Sequence, residues 1–191
     1  LVNAVLDLNG HTLTLGPAVG SSGTVTDGIR VLSYSKLVVK NGSVHISEEG
    51  YTVAGKTTYV KTGFANYGDL ELNDVIVSQA EQNSRLIRTI NNGGVLTLAG
   101  TTTIPTAANG FNDDNPSLAR VAIMNSPYNA HYTAEDPKNA EINVADATVT
   151  VGNVVVDKAG SGSTTGNPNG KSVLNISNGA FGEITSMGEG D

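Results

Sequence analysis

The chain contains no cysteine and no tryptophan, and only 15% of its 191 residues are charged. Without thiols there is no disulfide framework, no thiolate nucleophile and no Cys-bound zinc or iron–sulfur site. No apolar run approaches the roughly 20 residues that a membrane-spanning helix needs, so insertion into a membrane is not expected. Basic residues are scarce: 11 Lys and Arg face 18 Asp and Glu, a net charge of −7 at pH 7. That balance argues against nucleic acid as a partner, because phosphate neutralisation needs a positive surface. A phosphate-binding Walker loop, a GxSxG elbow, a zincin helix and an EF-hand loop are all missing from the sequence. Helical periodicity is missing too.

What is present is 23 Gly, many Val, Leu and Thr, and short runs in which apolar and polar residues alternate between Gly and Asn punctuation. That is the signature of strands and turns. At this length a single domain buries roughly 70% of its unfolded surface and needs no staple.

The runs repeat. Six octads align without gaps: Leu6–Leu13, Leu37–Val44, Leu70–Val77, Leu96–Thr103, Ile142–Val149 and Leu174–Phe181. Their first and third positions are aliphatic in every copy. The eighth is apolar except at Thr103. The fifth reads Gly10, Asn41, Asp74, Gly100, Asp146 and Asn178, the residue types that best tolerate positive φ or cap a turn. Each octad therefore predicts a short strand, a tight bend and a second short strand. A third strand is expected before most copies, at Ile29–Ser33, Gly63–Tyr67, Leu86–Ile90, Arg120–Met124 and Val154–Asp157. The wide spacing between copies fits stacked coils with parallel pairing better than hairpins.

This pattern resembles the right-handed parallel β-helix of the pectate-lyase-like superfamily, over nearly the whole chain. The phrase Leu6-Asp7-Leu8-Asn9-Gly10-His11-Thr12-Leu13 in particular resembles the first coil of bacterial surface β-helix proteins. The expected fold is all-β: one single-stranded right-handed parallel β-helix of about six coils with variable loop insertions, spanning 1–191 and forming a section of a longer chain. The resemblance implies an adhesin-like, non-catalytic domain, extracellular or on the bacterial cell surface. Its partner would be a host or environmental glycan or a surface protein. The alternatives it leaves open are a polysaccharide lyase or glycoside hydrolase, and a trimeric phage tailspike segment.

The excursions between strands carry the candidate site. Asp113-Asp114 is a carboxylate pair of the kind hydrolysis uses, within a run, Asn112 to Pro116, whose composition is turn chemistry. The resemblance to polygalacturonase-type enzymes stops there, because their Asn-Thr-Asp, Gly-His-Gly and Arg-Ile-Lys stretches are absent. Tyr128, His131 and Tyr132 share one insertion and offer rings that could stack on a sugar. Arg88 falls on a third strand, where with Arg85 and Arg120 it could face an anionic sugar or pair with a nearby acid. His45 is expected to point outward between Val44 and Ile46. The row Ser33, Asn66, Asn91 and Asn125, with Asp157 its one carboxylate, is too neutral for Ca²⁺. No metal and no cofactor are expected. The sequons at Asn41 and Asn175 lie inside the repeat, where Asn already serves a turn or strand, and the Thr rows do not repeat from coil to coil.

Overall fold

In the computed structural model the described residues are 3–16, 27–53, 55–79, 86–107, 121–127, 139–157 and 170–187. Strands β1 (Asn3–Asp7), β2 (Thr12–Leu15) and β3 (Asp27–Val31) form the first rung. The second holds β4 (Lys36–Ile46), a small hairpin of β5 (Tyr51–Val53) and β6 (Lys56–Thr58), and β7 (Thr62–Asn66). The third has β8 (Asp69–Gln79) and β9 (Arg88–Asn92). The fourth has β10 (Val95–Ala99), β11 (Thr103–Ile104) and β12 (Val121–Asn125). The fifth has β13 (Ala140–Val144), β14 (Thr150–Val151) and β15 (Val154–Asp157), and the last β16 (Ser172–Ile176), β17 (Ala180–Phe181) and β18 (Ile184–Met187).

Every rung-to-rung pairing is parallel. One sheet runs β16-β13-β10-β8-β4-β1 with the second strands alongside, and the other runs β18-β15-β12-β9-β7-β3. The chain is thus an all-β parallel solenoid. The stack amounts to about four turns where the sequence suggested six.

Alternation puts one aliphatic set inside. Leu70, Leu96 and Ile142 stack in one row, Val39, Leu72, Leu98 and Val144 in the next, and all are buried. Phe64, Ile90, Ile123 and Val154 face them from the second sheet. Each fully buried aliphatic contributes roughly 1.5–3 kcal/mol, and no single rung could supply such a core alone. Toward the ends the same rows open: Leu6, Leu174 and Ile176 are only partly buried.

Bends within the octads take positive φ at Gly10 (81°), Asn41 (58°), Asp74 (54°) and Gly100 (61°), as their residue types predict. Asp146 and Asn178 do not, and the last bend uses Gly179 (φ 100°) instead. The register explains why. Ile76 pairs with Thr103 and Thr103 with Thr150, so the bend lengthens by one residue in the fourth rung and by another in the fifth. Thr103, the misfit of the gapless alignment, therefore points out, and Ile104 fills the inward place at 1% exposure.

Candidate functional site

The inward row at the end of the second sheet is polar. Asn66, Asn92 and Asn125 occupy successive rungs and are fully buried. Asn66 Nδ2 donates to Asn92 Oδ1 (2.8 Å), and Asn92 Nδ2 donates to Asn125 Oδ1 (2.7 Å). The same amides donate to the Val95, Glu141 and Ala140 carbonyls (each 2.9 Å), and the Gly68 N–H donates to Asn66 Oδ1 (3.2 Å). A buried amide is tolerated only when its hydrogen bonds are made, and here they tie each corner to the rung above. The row expected as Ser33, Asn66, Asn91 and Asn125, with Asp157, is corrected in three places: Val31, Asn92 and Val156 hold the register. Asn91 alternates to the outer face, where it accepts from Arg88 Nη1 (3.1 Å).

Directly outside this row the chain turns from the second sheet into the first, and the turns differ in length. The second rung uses Leu32–Ser35. The third and fourth use two residues each, Tyr67-Gly68 and Gly93-Gly94. These short corners, beside the longer Leu32–Ser35 and with Asn139 and Glu141 beyond them, leave a groove of about 380 Å³, within the usual range for ligand sites.

The floor of the groove is bare backbone. A Cβ on Gly94 would run into the Gly68 carbonyl, and one on Gly68 into the Leu32 and Ser35 carbonyls. The corners close on each other by Asp69 N–H to Ser35 O (2.9 Å), Val95 N–H to Gly68 O (2.8 Å) and Glu141 N–H to Gly94 O (2.8 Å). Tyr34, Ser35 and Lys36 form one wall and Asn139 and Glu141 the other, with Asp69 and Val95 between and Asn3 at the rim.

Tyr34 is the unusual member. Its turn is closed by the Ser35 N–H on the Leu32 carbonyl (3.1 Å), and Tyr34 sits in it at φ 64°, a place glycine or asparagine normally takes. A bulky residue there is an outlier worth about 1–2 kcal/mol. Yet the residue is 56% exposed, so core packing does not explain its presence. The charges are uneven. Lys36 Nζ lies 3.5 Å from Glu71 just outside the groove, while Asp69 and Glu141 have no ion pair among the described residues. Those two carboxylates share a column two rungs apart, about 10 Å along the axis at the parallel-strand spacing.

Of the residues the sequence singles out, Asp113, Asp114, Tyr128, His131 and Tyr132 lie outside the described residues. Arg88 is described, at the far end of β9 from the groove, and is not among its lining residues. His45 is on the outward row and half-buried, its Nδ1 3.1 Å from Ser78 Oγ. Among the described residues no group of three or more acidic or histidine side chains could hold a metal ion. Tyr34, Asp69 and Glu141 were not legible as a set, because their meeting depends on corner lengths three rungs apart. The usable signal was local: the Leu32–Ser35 corner holds no glycine, whereas the next two corners, Tyr67-Gly68 and Gly93-Gly94, do. Comparison with protein-family models, curated proteins and solved structures returned no match.

Proposed function

We propose that this solenoid is a non-catalytic, adhesin-like carbohydrate-binding domain of a secreted or cell-surface protein. The observation that carries the reading is Tyr34, an exposed ring held at positive φ on the wall of a polar groove. Aromatic faces bury the apolar side of a sugar ring, while amide, hydroxyl and carboxylate groups take its hydroxyls. Asn3, Ser35, Asp69, Asn139 and Glu141 supply those groups along the same groove. The buried Asn66–Asn92–Asn125 row beneath the corners supports a preorganised floor, which lowers the ordering cost of binding. Kinship with pectate-lyase-like proteins rests on the parallel solenoid and its repeat alone.

The test is retardation of the folded protein in gels containing soluble polysaccharides. Tyr34→Ala should weaken binding at least tenfold, about 1.4 kcal/mol, with an unchanged circular dichroism spectrum. Equal retardation of both proteins would overturn the reading.

A second reading, a glycoside hydrolase, rests on the two carboxylates that line the groove, Asp69 and Glu141. Their backbones lie two rungs, about 10 Å, apart along the axis, just beyond the roughly 6.5–9.5 Å between the carboxyl groups of inverting pairs. This reading predicts release of reducing ends from a bound glycan, abolished by Asp69→Asn or Glu141→Gln. Binding without release leaves the non-catalytic reading standing.

A further inference from the structure

The groove also constrains the charge and shape of its ligand, an inference that rests on the carbohydrate-binding reading above. Three ionisable side chains besides Tyr34 line it: Lys36, Asp69 and Glu141. The Lys36 ammonium is shared with Glu71 at 3.5 Å, so its positive charge is largely answered before any ligand arrives. Asp69 and Glu141 have no such partner among the described residues, and the chain as a whole carries −7. An anionic polymer would meet like charge along the groove and around it, whereas a cation gains from both. A Tyr face adds to that preference, since its ring attracts an ammonium as well as a sugar.

The shape follows from the rungs. Lining residues run from Asn3 in the first rung to Glu141 in the fifth, four parallel-strand spacings or about 19 Å. The two carboxylates recur along that line rather than across it. The floor, free of side chains at Gly68 and Gly94, admits a chain lying flat along the solenoid axis.

We infer that the corner groove takes an extended, amino-bearing oligosaccharide laid along the axis, one ring on Tyr34 and its ammonium groups beside Asp69 and Glu141.

Isothermal titration with oligomers of glucosamine, glucose and galacturonic acid, each as the single sugar and the tetramer, tests this at pH 6 and at two salt concentrations. The glucosamine tetramer should bind at least tenfold tighter than the other tetramers and than glucosamine itself, and its advantage should shrink at high salt. The Asp69→Asn, Glu141→Gln double variant should lower its affinity to that of the glucose tetramer. A galacturonate tetramer that binds as tightly, or a glucosamine advantage untouched by salt, overturns the inference while glucose binding keeps the parent reading alive. A folded protein that binds none of the oligomers overturns both.

Discussion

Tyr34 and Asn92 show how much a single residue decides here. Tyr34 has a left-handed backbone that costs a non-glycine residue about 1–2 kcal/mol, and glycine in its place would forfeit about 0.5–1 kcal/mol in unfolded-chain entropy. The first term is the larger. Tyr34→Gly should therefore gain on the order of 0.5 kcal/mol in urea unfolding while losing glycan binding, and a destabilised variant would contradict this. A residue that weakens the fold is the expected trade-off where it serves the binding proposed above. Asn92 is the opposite case. It donates to Asn125, Gly94 and Glu141 and accepts from Asn66. Asn92→Leu keeps the volume and orphans those groups, so it should cost about 2–4 kcal/mol, read as a lowered urea midpoint. The sequence displays these asparagines openly but not their direction. Taken as an outward row, they pass for a failed metal ladder, and only pairing with neighbouring rungs turns them inward.

At the scale of the element, the bends are where sequence and structure diverge. Inside a strand the aliphatic period of two fixes the face, so the first strands and five of the six third strands were legible to within a few residues, β18 (Ile184–Met187) being the one missed. A bend has no period. The fourth and fifth rungs absorb extra residues there while Ile104 and Val151 regain the inward row, a shift that a gapless alignment reports only as an odd threonine. The bends are also locked to each other. Asp74 Oδ1 accepts the Thr101 N–H (2.9 Å), and Asp146 Oδ2 accepts the Gly100 N–H (2.8 Å). At the first bend Asp7 accepts from Asn41 Nδ2 (3.1 Å) and the Asn9 N–H (3.0 Å), with Lys40 at 3.4 Å. The Asn41 amide foremost, then the Asn9 N–H and Lys40, hold the Asp7 carboxyl below the ordinary aspartate value. A depressed folded-state pKa means stability that is present above the unfolded value of about 3.9 and lost as pH falls through the lower folded one. The first rung should loosen below about pH 4, and Asp7→Asn should flatten that acid limb in thermal melts taken between pH 6 and pH 2.5. An unchanged limb would show that other carboxylates govern it.

For the whole molecule, stability is a property of neighbours in a line. Among the described residues a rung in the middle is covered above and below and the outermost rungs are covered once, which is why Ala4 is exposed and Leu6 half-buried while Leu70 and Leu72 of the same inward rows are sealed. Amide hydrogen exchange should accordingly be slowest in β8, β9, β10 and β12 and fastest in β1, β16 and β18, graded rather than uniform. Uniform protection along the stack would mean that the rungs open only together. The architecture itself was legible because repetition multiplies a weak signal: one octad is ambiguous, and six in register are not. The groove was not, since it is made by differences among the rungs, and a repeat reveals only what its copies share.

The parallel ladder has one further consequence. Because its strands pair rung to rung, the backbone hydrogen bonds of the rod point along its length. Tension applied end to end loads the bonds of the outermost rung first and peels strands off singly, whereas tension applied crosswise would have to shear a whole strand's bonds at once. As a mechanical part, this solenoid is soft along its axis and stiff across it, and a ligand spanning several rungs at the corner would act as a splint.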